Sequence, residues 1–367
     1  MKVCQIYNTA PHYRASIFKL IDQTFDCDYV FGYTQDDIRP MDTSCLKGKV
    51  SYVHNKYIKS WYWQKGVNKI LKRDYDSFIL LGDTRCLSTW LFCIRARLFY
   101  RKKRLYFWSH GWYGKESRIE RLVKKLFFRM PNGGTFLYGN YARELMIREG
   151  FRADRLFVIH NSLAYDKQLA IRRQLQASQV YQEHFGNAHP NLMFVGRLTK
   201  VKHLDMILQA MKLLKQRSKT YNLTLIGGGE QKESLEMLAK ELGVHEQVWF
   251  YGPCYDEQQL GTLIYNADLC VSPGNVGLTA MHVMVFGTPV LTHNDFPHQM
   301  PEFEAIHDGD TGTFFERGSI DSLAESIERW FAENSFKREQ VRHACFHEID
   351  SQWTPKFQIE VMKKHLQ

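Results

Sequence analysis

Arg197 and Lys202 follow an apolar run, Asn191 to Val195, and a glycine, Gly196, in the stretch FVGRLTKVKH. A strand that ends in glycine and hands over to a helix can aim cations and backbone N–H groups at one anion. The stretch from Ala267 to Pro289, ADLCVSPGNVGLTAMHVMVFGTP, is built the same way. Leu269 to Ser272 reads as a buried strand, which Pro273, Gly274 and Asn275 break. Gly277, Leu278 and Thr279 open an apolar run that reads as a helix ending near Gly287. Gly277 lets a phosphate approach the backbone, and Thr279 offers a hydroxyl. His282 lies within reach of whatever sits over Gly277; a neutral imidazole donates one hydrogen bond and accepts another. The plainer reading of His282 is a bond to a backbone carbonyl in the core. Structural βα turns share this pattern, so its meaning depends on its surroundings.

Those surroundings are more strand ends. Asn222 to Ile226 runs into Gly227, Gly228, Gly229 and Glu230, and Val248 to Tyr251 into Gly252 and Pro253. In the first half, Val3 to Tyr7 is followed by the loop Asn8 to Arg14, which carries His12 and Arg14. Ser77 to Leu81 is followed by Gly82 and Asp83, and Leu105 to Trp108 by a loop that starts Ser109, His110, Gly111. Strands alternating with helices predict parallel sheets joined by crossovers. Ligands of such sheets sit beyond the carboxyl ends of the strands. His12, Arg14, Asp83 and His110 are therefore expected in one cleft.

A chain of 367 residues predicts two domains. No run of eighteen apolar residues occurs, and the apolar patch at the N-terminus is too short for a signal peptide, so a cytoplasmic protein is expected. Eight scattered cysteines without a CxxC pair argue against disulfides and structural zinc. The charge is uneven. Residues 1–165 hold 29 Lys and Arg against 14 Asp and Glu, and residues 166–367 hold 20 against 25. A basic half predicts an anionic ligand or surface. Three segments of that half add a membrane to the expected partners. RIERLVKKLFFRM, from Arg118 to Met130, spaces Ile119, Leu122, Val123, Leu126 and Phe127 helically, with Arg121, Lys124 and Lys125 elsewhere on the helix. Arg101 to Arg104 is a basic run, and Tyr57 to Leu71 mixes Trp61, Tyr62 and Trp63 with Lys59, Lys65 and Lys69. Peripheral attachment to an anionic membrane is the expectation. Nucleic acid is not, because no known module or basic and aromatic reading surface occurs.

FVGRLTKVKH, LTLIGGGEQKESLEML, VWFYGPCYDEQQL, ADLCVSPGNVGLTAMHVMVFGTPV and FEAIHDGDTG occur in that order. Together they resemble the donor domain of family-4-type glycosyltransferases of the GT-B fold, across roughly residues 191–335. The resemblance implies an α/β chain of two Rossmann-like domains with a deep interdomain cleft. The expected acceptor-side domain is 1–165 with a returning C-terminal helix in 352–367, and the expected donor domain is 166–351. It implies a retaining transfer of a hexosyl or N-acetylhexosaminyl group from a nucleotide-sugar to a lipid-linked or oligosaccharide acceptor, as in surface polysaccharide synthesis on the inner face of the plasma membrane. In this reading Arg197 and Lys202 hold the donor diphosphate and His110 touches donor sugar or phosphate. Gly196, Gly227, Gly228, Gly252, Pro253, Gly274, Asn275, Gly277, Leu278, Thr279 and His282 line the donor.

No cofactor or metal is expected, since fixed cations can stabilise the charge that develops on the leaving β-phosphate. The triplets Asp26-Cys27-Asp28, Asp74-Tyr75-Asp76 and Asp308-Gly309-Asp310 read as structural. One departure stands out. The family carries two glutamates eight residues apart where this chain has Gly274 and His282. A non-catalytic GT-B scaffold or partner subunit is the alternative that this departure supports.

Overall fold

The computed structural model describes residues 1–33 and 39–366. The chain divides into two compact units, Met1–Ala164 with Gln352–Gln367, and Tyr165–Ser351. Gln367 lies outside the described residues.

The first unit holds strands β1 (Lys2–Tyr7), β2 (Asp26–Gly32), β3 (Val50–Val53), β4 (Asn55–Ile58), β5 (Trp61–Gln64), β6 (Ser77–Leu81), β7 (Arg104–Ser109), β8 (Gly134–Leu137) and β9 (Leu156–Val158), with helices α1 (Ala15–Thr24), α2 (Leu87–Phe99), α3 (Arg118–Phe128) and α4 (Asn140–Arg148). Seven strands form a parallel sheet in the order β3-β2-β1-β6-β7-β8-β9. Successive side chains point to opposite faces, so each strand feeds two cores. Val3, Tyr7, Ile79, Tyr106 and Trp108 belong to one core, and Cys4, Ile6, Phe78, Leu80 and Phe107 to the other. Burial on both faces is why these strands read as apolar runs rather than as alternating ones.

The second unit holds α5 (Tyr165–Arg172), α6 (Val180–Phe185), β10 (Asn191–Val195), α7 (Asp205–Gln216), β11 (Asn222–Ile226), α8 (Lys232–Glu241), β12 (Val248–Gly252), α9 (Glu257–Asn266), β13 (Leu269–Ser272), α10 (Leu278–Met284), β14 (Val290–His293), β15 (Gly312–Phe315), α11 (Ile320–Asn334) and α12 (Arg338–Gln352). Its six strands are parallel in the order β12-β11-β10-β13-β14-β15. Both sheets reverse direction at one point, between β1 and β6 in the first unit and between β10 and β13 in the second. Loops that leave the two strands there turn opposite ways and open a crevice.

The last helix, α13 (Pro355–His365), belongs to the first unit. Ile359 and Met362 enter the core that holds Trp108. Gln358 donates to the His160 carbonyl at 2.8 Å and accepts from the Ser162 hydroxyl at 2.6 Å. The Tyr106 hydroxyl donates to the His365 carbonyl at 2.8 Å.

The mixed aromatic and basic segment 57–71 is the antiparallel hairpin β4–β5 followed by a 3-10 turn, Val67–Lys72. Two expectations are corrected here. The helix after Gly277 ends at Met284, not near Gly287, and spans only seven residues. Helix α3 commits Arg121, Lys124 and Lys125 to ion pairs, and only Lys124 reaches well inward. Lys124 donates to the Gly111 carbonyl at 2.9 Å and to Glu116 at 2.6 Å, and Arg121 and Lys125 pair with Glu149. Its apolar residues Ile119, Leu122 and Leu126 are exposed instead, while Phe127 and Phe128 reach the core.

Candidate functional site

In the second unit the loops that leave β10, β11 and β12 are knitted together by glycine. A Cβ on Gly227 would stand 1.8 Å from the Gly196 carbonyl oxygen, and one on Gly229 2.3 Å from that of Leu198. Both positions also have positive φ, 148° and 156°, so only glycine fits. Backbone bonds complete the weave: Gly196 N–H to the Ile226 carbonyl, Leu198 N–H to Gly228 and Gly227 N–H to Gly252. Gly228 rests on Pro253.

Arg197 and Lys202 leave this weave on the β10 side of the crevice. The Arg197 side chain is exposed. Lys202 is half-buried, and its ammonium donates to the Asn275 carbonyl at 2.6 Å and to the Asn275 side-chain oxygen at 2.9 Å. Burial pushes its pKa down to about 8; the Glu302 carboxylate works against that shift and the Arg197 charge adds to it. Glu302 sits in the turn Pro301–Ala305 and is 2% exposed.

The loop after β13 is pinned from behind. Gln299 accepts the Val276 N–H at 2.9 Å and donates to the Thr292 hydroxyl and the His293 carbonyl. Gly274 N–H bonds the Lys202 carbonyl at 3.0 Å. A Cβ on Gly274 would lie 2.2 Å from the Val201 carbonyl oxygen and 2.8 Å from Lys202 Cα. The backbone that presents Lys202 thus occupies the space where any side chain at 274 would begin. The Thr279 hydroxyl donates to the Val195 carbonyl at 3.0 Å, so its proton ties α10 to β10. His282 is bonded neither to a core carbonyl nor left open: Nε2 lies 3.1 Å from Glu257 Oε1. That oxygen also accepts the Gln168 amide at 2.9 Å. Burial favours the neutral form of Glu257, but the bond and charge of His282 and the Gln168 amide outweigh it and hold the carboxyl at about 2.

The first unit has its own crevice, a cavity of about 520 Å³ beyond β1, β6 and β7. Arg14, Asp83 and His110 line it together; His12 does not. His12 is exposed and its Nδ1 contacts the Arg39 carbonyl at 3.1 Å. Asp83 is taken by Arg85 at 3.1 Å. Burial, then the charges of Arg14 and Lys124, lower the His110 pKa to about 4, so the ring is neutral at pH 7.

Several residues of these sites have no strong sequence signal. Glu302 and Gln299 flank Met300-Pro301 in a mixed polar stretch, THNDFPHQMPEFE, which singles out neither of them. Glu257 looks like a first-turn helix acid, and Lys124 like one more surface cation.

Residues 181–345 match the family model described as glycosyl transferases group 1. A curated relative, an uncharacterized glycosyltransferase of Methanocaldococcus jannaschii, is 29% identical over 156 residues, 42% of this chain and 38% of the relative. The matched region thus spans well under half of that relative's length. Among solved structures, the apo form of the lipopolysaccharide outer core galactosyltransferase WaaB superposes with a TM-score of 0.72 at 15% identity, covering 99% of both chains. Anabaena HepE in complex with UDP superposes with a TM-score of 0.73 at 15% identity, again over 99% of both. Five ordered motifs, two sheets with matching switch points and these similarities converge: residues 181–345 are similar to the glycosyl transferases group 1, and the chain has the GT-B fold of these structures.

Proposed function

We propose that this protein moves a sugar from a nucleotide-sugar donor to a lipid-linked or oligosaccharide acceptor during synthesis of a surface polysaccharide. The observation that carries the donor half is Lys202. Its ammonium is half-buried, clamped on Asn275 and close enough to Arg197 for their charges to oppose each other. Two like charges held at the mouth of glycine loops are stabilised by an anion between them, and a diphosphate supplies one. When the sugar leaves, negative charge grows on the β-phosphate, and fixed cations lower that barrier more than water can. Retention of configuration, a hexosyl or N-acetylhexosaminyl group and metal independence belong to the same reading. HepE was solved with UDP, which supports a nucleotide donor. The WaaB name supports a polysaccharide product.

Membrane attachment is part of the proposal, through apolar groups rather than cations. Ile119, Leu122 and Leu126 on α3 and Leu87, Leu91, Ile94, Leu98 and Phe99 on α2 are exposed. Trp90 of α2 packs on Phe127 of α3 at 5.0 Å, so the two stripes are neighbours. Arg97, Arg101 and Lys102 are exposed around them. Among the described residues no helix is long and apolar enough to cross a membrane.

The closed space at Gly274 favours a second reading, a scaffold without turnover. A stabilisation screen with UDP, GDP and ADP, followed by donor turnover, separates the two. Arg197→Ala and Lys202→Ala should each lower kcat/KM by about 100-fold. Nucleotide binding without turnover would support the scaffold, and no binding at all would overturn both readings.

A further inference from the structure

Arg14 is the anomalous charge of the first unit. The 3-10 turn His12–Arg14 folds it back over the sheet, where it is 7% exposed. Its guanidinium lies 5.1 Å from the Trp108 ring and 5.3 Å from those of Tyr7 and Tyr138. Nη2 donates to the Tyr138 hydroxyl, and Nη1 is buried without a partner. No carboxylate pairs with it among the described residues. Three other enclosed cations are neutralised. Lys124 has Glu116, Arg172 has Asp350 and Arg342 has Glu339. An enclosed ion without a counter-charge is costly. Aromatic faces return only part of that cost, and they leave Nη1 unmet.

The cavity beside Arg14 cannot supply the missing charge. Its acid, Asp83, is bound to Arg85, and its other cation, Lys124, is bound to Glu116. The net charge presented to whatever enters is that of Arg14. His110 Nδ1 faces the same problem, being buried without a hydrogen-bond partner. Tyr13 and Tyr113 add flat apolar walls. A space of about 520 Å³ lies in the range that encloses a small ligand.

We infer that this cavity binds an oxyanion of the acceptor, a sugar carboxylate or a lipid-linked phosphate, with Arg14 as its charged ligand and His110 beside it. Assignment to the acceptor rests on the glycosyltransferase reading above. Arg14 and His110 line the cavity, and each holds one buried nitrogen without a partner, so an anionic oxygen is the group that both lack. The aromatic walls take the sugar or prenyl body that carries the anion.

Two pairs of probes on the full-length protein test this by calorimetry. Methyl glucuronide is compared with methyl glucoside, and citronellyl phosphate with citronellol. In one pair the charged member should bind at least about tenfold tighter than its neutral twin, which identifies the source of the oxyanion. Arg14→Gln should abolish that preference, and Arg14→Lys should keep part of it. UDP binding should survive both substitutions, which also shows that the variants fold. No charge preference in either pair, while wild-type protein binds UDP, overturns the inference and leaves the donor reading intact. Preference without any UDP, GDP or ADP binding overturns the donor reading and leaves the cage. Loss of UDP affinity in folded Arg14→Gln would assign the cavity to the nucleotide and overturn the acceptor assignment. A variant that does not fold leaves the decision to the wild-type pairs, which need no substitution.

Discussion

His282 Nε2 lies 3.1 Å from Glu257 Oε1, on the same carboxylate oxygen that takes the Gln168 amide. Position 282, where the resemblance leads one to expect a glutamate, is therefore spent on holding α10 to the start of α9. Replacing it by glutamate would set two carboxylates against each other. His282→Glu should destabilise the protein by about 1–3 kcal/mol, the scale of a lost charge-assisted bond with its partner left behind. His282→Gln should lose less, because its amide can still donate. Denaturant midpoints decide the matter; equal midpoints for the two variants would contradict the contact.

Lys202 predicts a pH profile for nucleotide binding. Its pKa is lowered to about 8, so the free protein carries the ammonium below that pH and loses it above. A diphosphate prefers the charged form. UDP affinity should be flat below pH 8 and fall about tenfold per pH unit above it, since binding then requires uptake of one proton. Lys202→Arg should remove the slope. Calorimetric titrations from pH 6.5 to pH 9.5 would show whether the slope exists.

Gly274→Glu introduces the side chain that the resemblance leads one to expect at this position, and it should fail. Its Cβ would start 2.2 Å from the Val201 carbonyl oxygen, so the turn that presents Lys202 must move. A loss of more than about 2 kcal/mol is expected, as for other overpacked sites, together with weaker UDP binding. A folded Gly274→Glu protein with tighter donor binding would show that the 200–202 turn is freer than its contacts imply.

The exposed stripe predicts which residues meet lipid. Leu122→Ser with Leu126→Ser should reduce sedimentation with anionic vesicles strongly, because each leucine buried in lipid is worth about 1.5–3 kcal/mol. Arg121→Gln and Lys125→Gln should matter little for vesicles, since both cations are committed to Glu149. The reverse ranking would return attachment to the cations.

The alternation of strand and helix is legible in the sequence because each strand is an apolar run closed by glycine. The strand ends therefore locate Arg197, Lys202, Asp83 and His110 without coordinates. What the sequence hides is contact between distant segments. His282 and Glu257 are far apart along the chain, and nothing local marks them as partners. Gly274 reads as a missing carboxylate until the Val201 carbonyl is seen behind it. Helix α3 has both an apolar and a basic stripe, and periodicity alone does not say which one turns inward. Lys124 decides it, through Gly111 and Glu116, which come earlier in the chain. The hairpin β4–β5 has no alternation of polar and apolar residues to announce it: Trp61 and Trp63 are exposed while Tyr62 and Gln64 are buried.

The return of α13 to the first unit sets an order of events at the ribosome. Residues 165–351 are made before Ile359 and Met362 can enter the core around Trp108. At the usual pace of synthesis that interval is roughly ten to forty seconds. Throughout it the first unit has a sheet with one side uncovered around Phe157 and Tyr106, whose partner His365 follows the whole second unit in the chain. The nascent chain must therefore keep an apolar wall waiting, which makes its earliest-made half the natural client of a chaperone and the last to become resistant to protease.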